Sequence, residues 1–199
     1  MRRQKGIGRS EARDELVPPD VLERCRAGDE RAWDELVEAT HRQVYTLCLR
    51  ILADRDDAAE ATQDAYLRAW RGLAGFRGDA QVTTWLYRIA TNAALSKQRS
   101  RGRRRAHETK VEDDVLARVA TVETTESIVD ARLGTGALEE ALAALPEHYR
   151  VAVVLRDVYG LSIEEIAERT KVSETAAKVR VHRGRKRLRD AVYGEEPGA

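Results

Sequence analysis

A run of cations near the C-terminus contains the residues of this sequence best suited to chemistry. Seven cations and no acid lie between residues 178 and 189, namely Lys178, Arg180, Arg183, Arg185, Lys186, Arg187 and Arg189. Such side chains bind phosphate oxygens, and arginine also pairs with guanine in the major groove. The alternative is an ordinary helix with a solvated basic face. The run favours DNA binding if neighbouring residues can hold this helix against a duplex.

Two short helices joined by a turn would position these cations. Ser162 and Glu165 have the spacing of a capping box, which predicts a helix start. An i, i+3, i+4 spacing then makes one apolar face, from Ile163, Ile166 and Ala167. The helix should end near Thr170, and Ser173 offers the N-cap of the next helix. The pattern predicts a DNA-reading helix-turn-helix.

The second helix divides into two faces. A narrow stripe is expected to pack inward and consists of Ala177, Val181, Gly184 and Leu188. The outward face consists of Thr175, Ala176, Val179, His182, Arg183 and Lys186, with Arg180 and Arg187 at its borders. A packing stripe backed by cations suits a groove walled by phosphates.

A second basic block follows a stretch that contains aromatic residues. The block consists of Lys97, Arg99, Arg101, Arg103, Arg104 and Arg105. Upstream lie Trp85, Arg88 and Asn92, and cations beside aromatic rings and amides suit single-stranded DNA. A core role is the commoner one for Trp85, and the arginines also suit a solvated helix C-terminus. The amide of Asn92 lowers helix propensity, which favours a specific partner for it.

Composition narrows the classes of protein. The 199 residues carry a net charge of +1, with 35% charged and 5% aromatic residues, which suits small helical domains. Cys25 and Cys48 lie far apart in apolar helical patterns, which favours buried reduced thiols. The basic N-terminus precedes no apolar run, and no segment is long enough to span a bilayer, so we expect a cytoplasmic protein. No catalytic residues, metal ligands or cofactor motif are predicted, since the four histidines are scattered.

The predicted organisation is all-α, with two small helical domains joined by a flexible acidic linker. Residues 1–19 form a disordered tail, 20–105 the first domain, 106–135 the linker, 136–193 the second domain and 194–199 a final tail. In the first domain, Asp29 can cap one helix, the acids after residue 53 start another, and a last helix runs from about Thr83 to Ser100.

Motifs in both domains resemble one family. Three segments are similar to sigma region 2, namely Asp57-Ala-Ala-Glu-Ala-Thr-Gln-Asp-Ala-Tyr-Leu-Arg-Ala-Trp70, Phe76-Arg-Gly-Asp79 and Thr84-Trp-Leu-Tyr-Arg-Ile-Ala-Thr-Asn92. Three more are similar to sigma region 4, namely Leu145-Pro-Glu-His-Tyr-Arg150, Gly160-Leu-Ser-Ile-Glu-Glu-Ile-Ala167 and Val181-His-Arg-Gly-Arg-Lys-Arg-Leu188. In this order, the chain resembles an extracytoplasmic-function (ECF) sigma factor of bacterial RNA polymerase.

The resemblance implies a role for each set of residues. Core polymerase, at the clamp of its large subunit, would bind Asp57, Glu60, Gln63, Asp64 and Arg68. Melted −10 promoter DNA would be captured by Arg77, Asp79, Arg88, Asn92 and Arg99, with a flipped base near Asn92. Duplex −35 DNA would be read by Thr175, Lys178, Val179, Arg180, His182 and Arg183. For the acid-bearing helix, the alternative is a solvated amphipathic face.

Two residues depart from the family pattern. Lys171 stands where the turn commonly has glycine, and a left-handed backbone there is costly for a residue with a Cβ. Val179 replaces a commonly small polar residue, so an apolar contact would replace a hydrogen bond and alter the −35 preference. The linker's acids outnumber its cations, which suits either a nucleic-acid mimic inside the polymerase channels or a plain tether.

The resemblance further implies partners and a mode of action. They are core RNA polymerase, promoter DNA in duplex and single-stranded form, and an anti-sigma factor, with a monomer when free. The rival interpretation is a stand-alone regulator that binds duplex DNA through its helix-turn-helix. The helix from Trp85 to Asn92 with its trailing arginines separates the two, because a duplex-only regulator needs no surface for single strands.

Overall fold

The computed structural model describes residues 16–76, 81–108 and 135–193. Those residues form two compact units, one from residues up to Leu49 with Asp54–Lys97, the other from Arg50–Ala53 with residues from Gln98 onward. No β-strand occurs in the described ranges, and the predicted all-α class is confirmed. The helices up to residue 108 are α1 (Pro19–Arg26), α2 (Glu30–Leu52), α3 (Arg55–Gly72), a 3₁₀ turn (Leu73–Gly75) and α4 (Val82–Glu108).

Side chains at the helix starts explain where α2 and α3 begin. The Asp29 carboxylate accepts hydrogen bonds from the backbone N–H groups of Arg31 and Ala32, at 2.9 and 3.3 Å. The Asp54 carboxylate accepts from the N–H of Asp57 at 2.9 Å. Each carboxylate satisfies donors that a helix start leaves without intrahelical partners. Between the two helices, Ala53 has a φ of 51°, in the left-handed region that favours glycine.

The core of the first unit is apolar apart from a few satisfied hydroxyls. Leu36, Val44 and Leu47 are fully buried on α2. The hydroxyls of Thr40 and Tyr66 lie 2.8 Å apart and share a hydrogen bond between α2 and α3. Both cysteines are free and buried, as the apolar patterns predict, and burial raises the pKa of the Cys48 thiol to about 11.

An arginine joins α1 to α2. The Arg24 guanidinium donates from Nε to Asp29 Oδ2 at 3.0 Å. It also donates to both carboxylate oxygens of Glu35, at 3.2 and 3.0 Å. The hydrogen bond from Arg24 is the main cause that lowers the pKa of Asp29. The same carboxylate therefore caps α2 and pairs with α1.

The second unit consists of short helices around one long helix. Its helices are α5 (Thr135–Ala144), α6 (Glu147–Val153), a π-helical turn (Val154–Val158), α7 (Ile163–Thr170) and α8 (Glu174–Tyr193). The predicted inward stripe of α8 is buried, namely Ala177, Val181, Gly184 and Leu188. Gly184 makes the closest approach, since a Cβ there would lie 2.5 Å from Val153 Cγ2 and 3.1 Å from the Tyr149 carbonyl oxygen. Only a glycine lets α8 pack this closely on α6.

Two element boundaries differ from the expectation. The helix expected to end near Ser100 continues to Glu108, because arginine is a good helix former and Gly102 alone does not stop it. At the other end, α1 begins at Pro19, inside the stretch assigned to the tail. Proline is tolerated in the first turn of a helix, and Val17 before it is buried. The linker residues 109–134 and the final tail lie outside the described residues.

Candidate nucleic-acid interface

The helix-turn-helix forms through the caps that its sequence predicts. The Ser162 N–H donates to the Glu165 carboxylate at 2.8 Å, and the Glu165 N–H donates to Ser162 Oγ at 3.1 Å, which completes the capping box. The Ala176 N–H donates to Ser173 Oγ at 3.2 Å at the start of α8. Lys171 adopts the left-handed conformation, with φ 57° and ψ 47°. The turn thus keeps the shape usual for glycine despite the side chain.

Most of the residues predicted to read −35 DNA lie on the side of α8 away from the buried stripe, while Arg180 borders the stripe. The exposed members are Thr175, Lys178, His182 and Arg183, while Val179 and Arg180 are half-buried. Spacings of three, four and seven residues place Thr175, Lys178, Val179 and His182 along one helix face. An exposed polar face of this length can enter a major groove, which admits an α-helix.

Two cations of the basic run contact side chains of other helical elements. Arg185 Nε donates to Asp157 Oδ2 at 3.0 Å, and its Nη2 pairs with Oδ1 of the same carboxylate. The hydrogen bond from Asp157 is the main cause that raises the pKa of Arg185. The Arg187 guanidinium lies over the ring of Tyr149, 5.1 Å from its centroid. Neither contact could be predicted from the basic run itself, because Asp157 and Tyr149 are distant in sequence, and only Arg185 is paired with an acid.

The single-strand candidates on α4 share one exposed side of the helix. Arg88, Asn92 and Arg99 are all exposed. Spacings of four and seven residues place the three side chains along one face. Arg77 and Asp79 lie outside the described residues. The three described candidates therefore form a linear polar surface that carries two cations.

Trp85 makes packing contacts within the first unit. Its ring is half-buried and lies 5.0 Å from the Phe76 ring, centroid to centroid. Phe76 is in turn contacted by Arg26. The Arg26 guanidinium lies 5.4 Å from the centroid of the Phe76 ring and donates a hydrogen bond to the Phe76 carbonyl oxygen. These contacts hold the start of α4 in place below the exposed face.

The residues predicted to bind polymerase lie on α3, and most are already paired within the first unit. Arg68 donates from Nε to Asp64 Oδ1 at 2.9 Å. Lys97 Nζ pairs with Asp57 Oδ1 at 3.2 Å and with the Glu60 carboxylate. Gln63 is exposed. The acid-bearing face is thus a network of charge pairs rather than a row of free carboxylates.

Two apolar side chains on α3 were missed as surface candidates. Leu67 is 55% exposed and Trp70 is 43% exposed. The Trp70 ring also contacts the Trp33 ring at 5.0 Å between centroids. The available signal was spacing, because Leu67 follows Gln63 by four residues and so shares its face.

Other kinds of site find no support in the described ranges. None of their helices has the length and apolar character needed to cross a membrane. No group of three or more potential metal ligands occurs among the same residues.

The two units match two parts of one protein family. The profile described as "Sigma-70 region 2" matches residues 36–104, and "Sigma-70, region 4" matches residues 135–188. The ECF RNA polymerase sigma factor SigM of Mycobacterium tuberculosis H37Rv is 40% identical over 179 residues, covering 88% of this chain and 85% of SigM. The chain belongs to the ECF sigma factors of the sigma-70 family. The ECF sigma-E factor of Escherichia coli K12 is 30% identical, covering 90% and 96% of the two chains.

Solved sigma factors share the fold of this one. The sigma factor RpoE of Bartonella quintana, in complex with the anti-sigma factor NepR, aligns with a TM-score of 0.54 and 22% identity. That alignment covers 82% of this chain and 98% of RpoE. CnrH, in complex with the cytosolic domain of CnrY, aligns with a TM-score of 0.52 and 20% identity, covering 89% and 97%. At these identities the likeness concerns the fold.

Proposed function

We propose that this ECF sigma factor brings core RNA polymerase to promoters by reading duplex −35 DNA with α8 and capturing melted −10 DNA with α4. It acts in the cytoplasm as a dissociable initiation factor and carries no catalytic chemistry of its own. The observation that carries the proposal is the presence of two separate exposed polar faces with cations, one on each DNA-binding element. One face lies on the second helix of the helix-turn-helix, and the other lies on α4, outside that motif.

The α8 face suits duplex recognition. Arg183 is exposed and has the donor geometry to pair bidentately with guanine, and His182 beside it can contact the backbone or a base edge. Val179 offers an apolar contact to a thymine methyl group. Lys178 supplies charge for phosphate, which sets register rather than sequence preference. The face therefore combines positioning contacts with base-reading contacts.

The α4 face suits strands that have already separated. Asn92 presents an amide that can bond the edge of an extruded base, and Arg88 and Arg99 on the same face can follow the phosphate backbone. Unstacking a base costs a few kcal/mol, and contacts to the flipped base offset that cost. A surface that binds only the opened strand shifts the promoter toward melting. The loop with Arg77 and Asp79 belongs to the same proposal through the family motif.

The exposed face of α3 is the proposed docking surface for the clamp of the large polymerase subunit. Glu60, Gln63 and the Asp64–Arg68 pair supply its polar contacts, and the exposed Leu67 adds apolar area. Similar sigma factors have been solved with anti-sigma factors bound. We extend that kind of partner to this chain, whose free form we take to be a monomer.

Transcription with purified core polymerase tests the proposal. The wild-type protein is expected to start RNA at defined promoters of its own genome, which are found by mapping start sites. Arg183→Ala should weaken holoenzyme binding to duplex −35 DNA, while Asn92→Ala should impair opening and leave polymerase binding unchanged. Duplex binding by the free protein without any specific transcript would favour the stand-alone regulator instead.

A further inference from the structure

One cation of the basic block on α4 points to α3 rather than to solvent. Lys97 Nζ lies 3.2 Å from Asp57 Oδ1 and also pairs with the Glu60 carboxylate. The side chains of Lys97 and Asp57 are each 19% exposed, whereas that of Glu60 is 67% exposed. The Lys97–Asp57 pair is therefore largely shielded from water, and Glu60 covers it from outside.

The pair lies at one end of the α3–α4 contact. At the other end, the C-terminal residue of α3, Gly72, packs against Trp85, since a Cβ there would lie 3.4 Å from the indole Cζ2. The 12 residues from Trp85 to Lys97 span about 18 Å of helix, and the 15 residues from Asp57 to Gly72 span about 22 Å. The two helices thus run antiparallel, with the ring contact and the ion pair about three to four turns apart.

Helical spacing places Lys97 opposite the DNA-facing surface. Arg99 follows Lys97 by two residues, a rotation of about 200° around the helix axis, and Asn92 precedes it by five, about 140°. Arg99 and Asn92 are exposed, while Lys97 is held against α3. Anchoring Lys97 therefore sets the rotation of α4 that turns Arg99 and Asn92 outward.

We propose that Lys97 is a positioning residue, whose ion pair with Asp57 and Glu60 fixes the DNA-capturing face of α4 relative to the polymerase-docking face of α3. This inference rests on the proposed function. It removes Lys97 from the cations available to DNA. It also gives Asp57 a role inside the unit, so that Glu60 is the more accessible of the two carboxylates.

The first test uses holoenzyme made with full-length variants at saturating core polymerase. Its probe is a mapped promoter fragment in which the −10 region is already unpaired. Lys97→Met should weaken binding about tenfold without changing the slope of log K against log salt, and Lys97→Arg should recover most of the affinity. The control Arg99→Met loses a proposed phosphate contact. The slope of log K against log salt for this variant should therefore be smaller in magnitude by about 0.7 to 0.9.

Two results of this test would overturn the positioning role. One is a Lys97→Met slope that falls as the Arg99→Met slope does, which would mean that Lys97 contacts DNA directly. The other is binding by Lys97→Met within twofold of wild type. A wild-type holoenzyme that binds no promoter would sink the proposed function itself, and the ion pair would then be judged in the free protein.

The free protein tests the ion pair without polymerase. Asp57→Asn and Lys97→Met should each lower the Tm by about 2 to 4 °C, and the double variant should lower it no more than the worse single variant. Non-additivity of this kind shows that the two side chains act together. Additive shifts would show that Asp57 and Lys97 do not stabilise the unit as a pair, and the inference would fail.

Discussion

The two helices proposed to bind DNA, α4 and α8, hold their cations in different ways. On α8, rotation around one helix separates outward Arg183 from inward Arg185, which pairs with Asp157. On α4, Lys97 pairs with Asp57 of α3, while Arg99 two residues later is exposed. In both helices, of two cations that are two residues apart, one pairs with an acid of the same unit and the other is exposed to solvent. The number of cations in a basic run is therefore an upper limit on the positive charge available to DNA. Acids packed against the same helix neutralise some of these cations and lower that number.

The largest expected effect is a difference in stability between variants of Arg185 and of Arg183. Arg185→Met leaves the Asp157 carboxylate, which is only 12% exposed, without its partner, and should cost roughly 2 to 3 kcal/mol of stability. Arg183→Met should leave stability within about 0.5 kcal/mol because its side chain is exposed. Thermal unfolding of both variants checks the contrast. Equal Tm values would contradict the division of α8 into two sides.

The next effect compares two glycines within helices. Gly184→Ala should destabilise the second unit by about 2 kcal/mol, because the new methyl group meets Val153 and the Tyr149 carbonyl. Gly102→Ala in α4 has open space around it and should stabilise by about 0.5 to 1 kcal/mol, since alanine is the better helix former. Denaturant unfolding measures both changes. Opposite signs are the expected outcome, and a neutral Gly184→Ala would show that α6 and α8 can separate at little cost.

A smaller effect concerns the two helix ends with left-handed residues. Ala53 and Lys171 have φ values of 51° and 57°, where a Cβ costs about 1 kcal/mol. Ala53→Gly and Lys171→Gly should therefore each stabilise the protein by somewhat less than that amount. Calorimetric Tm values check the gain. If only one variant gains stability, the strain is confined to that turn.

The smallest effect depends on pH and involves Asp29. Its folded pKa is lowered, chiefly by the Arg24 hydrogen bond, so the pair stabilises the protein above the unfolded pKa and loses that effect as the pH falls. Asn in Asp29→Asn can still cap α2 but lacks the charge. The Tm gap between wild type and Asp29→Asn should be present at pH 7 and narrow below about pH 4. A gap that does not change with pH would mean that the charge of Asp29 does not contribute to stability through Arg24.

Local signals made the helix-turn-helix predictable. The capping box at Ser162, the N-cap at Ser173 and the buried stripe of α8 depend on residues within one or two turns of each other. Such interactions are set by helix geometry, so their spacing is visible in the sequence. At Lys171 the family's usual glycine indicated either a strained left-handed residue or a turn of different shape, and the structure has the left-handed residue.

Contacts between distant segments were beyond the reach of sequence patterns. Lys97 follows Glu60 by 37 residues, and Arg185 follows Asp157 by 28. No periodicity links such positions, because the packing of separate helices decides which side chains meet. The exposure of Leu67 was missed similarly, as an apolar residue on a helix is normally counted toward the core. The roles of individual residues toward DNA and polymerase stay predictions.

The buried thiol of Cys48 can serve as a chemical probe for opening of the core of the first unit. With its pKa raised to about 11, almost none of it is thiolate at neutral pH, and thiolate is the form that reacts with alkylating agents. Modification must therefore wait until the α2–α3 core opens. The rate of labelling therefore reports how readily the core of the first unit opens.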